Sequence, residues 1–103
     1  MTHEELYALL KSTGIPFSYH HWEKTPHPPY GVYFDDYTEN LFADDTVALE
    51  IQHFAIELYT AKLDLMSEKT IERTLNRANI PWEREKEWIE SEAMYQTRYE
   101  IEV

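Results

Sequence analysis

The sequence predicts an α+β domain: a mostly antiparallel sheet of about four to five strands with two helices packed on one face, in the order α-β-β-β-α-β-β. Three observations predict it. Two segments, one near the N-terminus and one after Thr60, carry apolar residues at helical spacing. The segments between and after them alternate apolar and polar residues with a period of two. Proline and Gly14 fall at the boundaries, where they stop one element and start the next.

Thr2 is a good N-cap, and Glu5 stands three residues on, as in a capping box. Leu6, Leu9 and Leu10 form the apolar stripe of the first helix, which Gly14 ends and Pro16 keeps from resuming. "PFSYHHW" reads as a short strand, "EKTPHPP" as a break, and "YGVYFDD" as a second strand. The polar stretch from Asp35 to Asp45 reads as a loop. A long strand follows, about Thr46 to Tyr59. Its apolar set changes parity, from Val47, Leu49 and Ile51 to Phe54, Ile56 and Leu58. That change predicts a bulge near Gln52 and His53, or a strand buried on both faces. "AKLDLMSEKTIERTLNRAN" is the second helix, capped by Asp64 or Ser67, with Ile71, Leu75 and Ala78 inward. "IPWEREKEWIE" and "AMYQTRYEIEV" then close the domain as a hairpin.

A chain of 103 residues is one domain, spanning residues 1–103. A hydrophobic share of 43% with 15% aromatics excludes a disordered chain. No apolar run approaches the ~20 residues that cross a bilayer, and the N-terminus carries acids where a signal peptide would be basic. A cytoplasmic location and no membrane partner are expected. The lack of cysteine excludes disulfides, thiolate zinc sites and cysteine nucleophiles. A net charge of −11 repels phosphate backbones, so sequence-specific nucleic-acid binding is not expected. Two glycines are too few to write a phosphate-cradling loop.

"SYHHWEKTPHPPYGVYFDD", Ser18 to Asp36, holds three of the five histidines. Adjacent His20 and His21 point to opposite faces of a strand and cannot chelate one ion together. A site of His21, His53 and a loop acid needs two strands in a particular register. The acids Asp35, Asp36, Glu39, Asp44 and Asp45 lack the spacing and central glycine of an EF-hand. No nucleophile stands in a pattern with a base. No enzyme activity, metal or cofactor is expected. What stands out is the eight Tyr and three Trp, most of them on strands, in a domain too small to bury them all. Such residues are enriched at interfaces. Tyr30, Tyr33, Trp82 and Trp88, on or beside the predicted strands, are therefore candidate contact residues.

"PPYGVYFDD" (Pro28 to Asp36), "IELYT" (Ile56 to Thr60) and the ending "IESEAMYQTRYEIEV" resemble small proteins of the head-to-tail module of long-tailed bacteriophages and prophages, the tail terminator (tail completion, tail-to-head joining) family. The likeness covers almost the whole chain. It implies a structural protein with no catalysis and no cofactor. It implies a ring of copies, usually a hexamer, that caps the finished tail tube and meets the neck of the head. The partners would be the chain itself and tail-tube and neck proteins, in the host bacterial cytoplasm during assembly and then in the virion tail. On that reading the aromatic sheet face and an edge strand supply one patch. Asp35, Asp36, Asp44 and Asp45 lie at the ring surface. A basic run, Arg73 and Arg77 with Arg84 and Lys86, meets acids of the next subunit. Another head–tail connector, or a small acidic inhibitor that mimics nucleic acid, is the alternative.

Overall fold

Thr2 starts the first helix through both halves of a capping box. Its hydroxyl accepts from the Glu5 amide at 3.1 Å, and its own amide donates to Glu5 Oε1 at 3.2 Å. A computed structural model describes residues 1–44 and 46–103 and, within them, all side chains but those of Val47 and Ala48. In it helix α1 spans His3–Lys11 and buries Leu6 and Leu10. Gly14 sits past its end at φ +81°, a backbone shape that costs glycine little.

Five strands follow: β1 (Phe17–Tyr19), β2 (Tyr30–Ala43), β3 (Thr46–Thr60), β4 (Trp82–Ile89) and β5 (Met94–Glu102), with helix α2 (Leu65–Arg77) between β3 and β4. The sheet order is β1-β2-β3-β5-β4. Every pairing is antiparallel except β1 with β2, which is parallel. Both helices cover one face. Their Leu6, Leu10, Ile71 and Leu75 pack on Phe54, Ile56, Leu58, Tyr99 and Ile101 of the central strands. The order of elements and the α+β class match the sequence expectation, with five strands in the sheet.

Three details differ from the sequence reading. The segment expected as a loop from Asp35 is strand through Ala43. Tyr37, Thr38 and Phe42 suit a pleated ribbon, and β3 offers a paired edge along the whole length, so its polar composition reflects exposure rather than irregular backbone. Strand β1 stops at Tyr19, because His20 takes φ +67°, and "HHW" belongs to the loop that follows. The bulge nearest the expected place lies on β2, at Asp36, between the pairs Asp35–Phe54 and Tyr37–His53, and a second register shift lies further out, between the pairs Leu41–Leu49 and Phe42–Val47. Strand β3 keeps its parity there. Its apolar residues change face because the helices stop covering it.

Asp64 caps α2: Oδ1 accepts from the Ser67 amide at 3.0 Å and Oδ2 from the Ser67 hydroxyl at 2.7 Å. These bonds, the backbone one foremost, hold its carboxyl below the ordinary aspartate value. Asp64→Ala should cost about 1 kcal/mol at pH 7. The folded-state pKa is the lower one, so the stabilisation is whole above about pH 4 and fades as pH falls through the folded value. Urea unfolding at pH 7 and pH 3 checks both points: the gap between variant and wild type should narrow at the lower pH.

Candidate interaction surface

Strands β2 and β3 are much longer than their neighbours, and this sets the main surface feature. β5 pairs with β3 only from His53 onward, and β1 pairs with β2 only as far as Tyr33. From Thr38 to Ile51 the two long strands, among the described residues, pair solely with each other, as a two-stranded arm reaching beyond the sheet. The arm accounts for the elongation of the molecule, 50 × 29 × 24 Å. Its ladder leaves both outer edges unpaired, a geometry that invites another chain.

The arm is apolar where it is exposed. Leu41 faces Leu49 across the ladder, and both are exposed, as are Tyr37 and Phe42. Phe42 is 68% exposed at the tip. The arm is also acidic: no Lys or Arg occurs between Lys24 and Lys62, while Asp35, Asp36, Glu39, Asp44, Asp45, Glu50 and Glu57 do. Asp44 lies at the tip with φ +51°, a conformation Asp tolerates well. Asp45 lies outside the described residues.

The root of the arm is anchored on both sides of the bulge. Arg98 donates to Asp36 at 2.8 Å and to Glu57 at 3.1 Å, and lies 3.6 Å from Glu100. Partial burial works against the guanidinium charge, but Asp36, Glu57 and Glu100 outweigh it and raise its pKa. His53 stacks on Tyr37 with ring centres 4.0 Å apart, and its Nε2 is 3.1 Å from Glu39. Beside this stack an open cleft of about 370 Å³ is lined by Tyr37, His53, Trp82, Glu83, Glu100 and Glu102, among others. Aromatic rings with three glutamates suit a cationic side chain, not an anion.

The aromatic residues expected to face a partner divide between three places. Tyr33 is 2% exposed, inside the core on the helix side, with its hydroxyl 2.9 Å from His3 Nε2. Tyr30 is buried on the other face, stacked on Tyr59 at 5.3 Å. The loop after β1 covers it: Trp22 meets Tyr30 edge-on, and its indole donates to the Gly31 carbonyl at 2.9 Å. Neither tyrosine ring offers free surface, because the chain covers much of this face itself. Trp82 is half-buried and donates to Asn76 at 2.9 Å. Trp88 stands exposed on the edge strand β4, against Tyr95. Asp35 accepts a very short bond from Tyr19, which lowers its pKa and raises that of the phenol.

The basic run divides too. Arg84 and Lys86 turn inward to Glu68 and Glu72 of α2, two carboxylates at only 3% and 5% exposure. The buried Tyr99 hydroxyl donates to Glu72 at 2.8 Å, and burial, with Glu72 second, raises its pKa. Arg73 and Arg77 stay exposed on the outer face of α2, and neither makes an ion pair among the described residues.

Sequence reasoning missed the arm, the Glu68–Glu72 network and the self-covered aromatic face. The arm had a signal: Tyr37, Glu39 and Leu41 alternate with Thr38 and Asn40 just before a predicted strand. The network had a weaker one, in two glutamates at i and i+4 on the helix's inward stripe.

Among the described residues no group of three or more His, Cys, Asp or Glu is placed to hold a metal ion. No helix there is long and apolar enough to cross a membrane. No protein-family model and no curated protein matches this chain.

Proposed function

We propose that the chain is a structural assembly protein of the tail-terminator kind, acting as a ring of copies that closes a phage or prophage tail tube and faces the neck of the head. The arm carries this reading. A two-stranded ribbon with free edges and exposed Leu41, Phe42 and Leu49 gains little as part of a lone monomer. Those features serve a chain that is completed by a neighbour. The sequence stretches that resemble the family support the same reading. In a ring, each copy occupies the site at which the next tube subunit would add, so elongation stops without any chemistry.

Native mass spectrometry of the untagged chain, alone and with the tail-tube protein of the same phage or prophage, tests it. A ring-sized oligomer is expected, alone or once the tube protein is present. Leu41→Ser/Leu49→Ser should abolish that oligomer and leave the monomer's unfolding free energy within about 0.5 kcal/mol of wild type, since both side chains are exposed. A monomer indifferent to the tube protein overturns the reading.

One observation favours a second reading. Seven acids with no intervening Lys or Arg, from Asp35 to Glu57, suit an acidic inhibitor that occupies a nucleic-acid site on a basic protein. Tight, salt-sensitive binding of a monomer to a basic DNA-binding protein would select it.

A further inference from the structure

We infer that the arm of one copy docks on the outer face of helix α2 of the next, a head-to-tail contact between two different patches of the same chain. The contact rests on the proposed reading only in requiring that copies of this chain meet.

The chemistry of the two patches is complementary. Helix α2 carries two acids, Glu68 and Glu72, and both are buried against Arg84 and Lys86. Its exposed face is left with Lys69, Arg73 and Arg77, of which, among the described residues, only Lys69 has an acidic neighbour within 4.0 Å, Glu72. In a chain of net charge −11 such a face is a local reversal of sign. Met66, Thr70, Arg73 and Arg77 fall at i, i+4, i+7 and i+11, along one stripe. The stripe begins in apolar surface: Leu63, Leu65 and Met66 are exposed, Met66 at 81%.

The arm offers the counterpart: the exposed cross-strand pair Leu41 and Leu49 shares a face with Glu39, Phe42 and Asp44 lie towards the tip, and Glu50 is on the opposite face. It has no cation of its own. Lengths agree as well. Seven residues of strand, Tyr37 to Ala43, span about 23 Å, and the 13 residues of α2 span about 20 Å. Apolar tip on apolar helix start would exclude water, and the acids would pair with Lys69, Arg73 and Arg77 at the rim. The patches lie on different parts of the molecule, so the contact repeats from copy to copy. It closes into a ring if the rotation permits and runs on as a filament if it does not.

A charge swap tests it without any partner protein. Glu39→Lys/Glu50→Lys places one cation on each face of the arm, and Arg73→Glu/Arg77→Glu reverses the helix. Sedimentation velocity from 1 to 500 μM, on an order-of-magnitude scale set by weak to moderate protein association, reads self-association. Far-UV circular dichroism confirms that each variant is folded. Wild type should self-associate, each double variant should weaken association about tenfold or more, and an equimolar mixture of the two should recover a large part of it, with the two variants alternating along the assembly. Wild type that stays monomeric to the top concentration, association unmoved by either reversal, or a mixture no better than its parts overturns the contact. A ring on the tube protein that survives both reversals also overturns the contact and leaves the terminator reading standing. Swap-dependent self-association with no response to the tube protein does the opposite.

Discussion

Gly31→Ala should cost about 3 kcal/mol, and so lower the melting temperature by about 15 °C for a domain of this size. Gly31 lies on β2, between Phe17 of β1 and Leu58 of β3. A Cβ there would stand 2.2 Å from Phe17 Cε1, 2.7 Å from Phe17 Cδ1 and 2.9 Å from the Glu57 carbonyl oxygen. Phe17 is itself buried in the core, so its ring has nowhere to swing. The carbonyl belongs to the backbone of β3 and cannot retreat without disturbing the ladder. Close approach, not a special backbone angle, is what requires glycine here. Thermal and urea unfolding of the variant give the first number. Phe17→Leu added to it should recover part of the loss, although Phe17→Leu alone is destabilising, because the two side chains compete for one space. A loss below about 1 kcal/mol, or simple additivity in the double variant, would show that the crowding is not where the geometry puts it.

That residue also shows what the sequence could and could not reveal. Strand existence around Gly31 followed from its aromatic and β-branched neighbours, but its role did not. Only the parallel docking of β1, with Phe17 fourteen residues upstream, brings that ring onto it. The same division holds elsewhere. Thr2 with Glu5, Asp64 with Ser67, and the stripes of Leu6, Leu10, Ile71 and Leu75 are local patterns. They act as local patterns predict. The arm was misread for a physical reason: its residues between Asp35 and Asp45 are polar because no layer covers them, and polarity resembles a loop when no partner strand is known. The parity change in β3 was visible. Its cause, the end of helix cover, depends on where two helices far apart in sequence, His3–Lys11 and Leu65–Arg77, come to rest. Of the candidate contact residues, Arg73 and Arg77 share one exposed helix face, Asp44 lies at the arm tip and Asp36 at its root. Tyr30 and Tyr33 are inside the chain's own packing. Aromatic content alone cannot distinguish a ring that meets a partner from one that a loop such as His20 to Pro29 folds back to cover.

Arg84→Met should be the most damaging change on the surface of the sheet, at about 2–3 kcal/mol. Breaking a buried ion pair by removing one partner costs ~3–5 kcal/mol, and the partial exposure of Arg84 lets water offset some of that. Its Nη1 lies 2.8 Å from Glu72 Oε2 and 3.2 Å from Glu68 Oε1, and Lys86 holds the other Glu68 oxygen at 2.7 Å. The hydrogen bond to Glu72 is the first reason the guanidinium is held in its charged form more firmly than usual. Two buried carboxylates one helical turn apart repel each other, and two cations from β4 make them tolerable. With Arg84 gone, Glu68 keeps Lys86, while Glu72 is left with the Tyr99 hydroxyl and the more distant Lys69 at 4.0 Å. Glu72→Gln added to Arg84→Met removes the excess charge, so the double variant should be more stable than Arg84→Met alone, by about 1 kcal/mol or more. Urea unfolding of the four proteins at pH 7 measures this. A loss under about 0.5 kcal/mol for Arg84→Met would place the pair among ordinary surface contacts. The consequence reaches beyond stability. Glu68 and Glu72 are what fasten α2 to the edge strand, and turning both acids inward is what leaves Arg73 and Arg77 uncontested on the outer face. A variant that frees the two glutamates should therefore weaken self-association as well, even at temperatures where the domain is still folded.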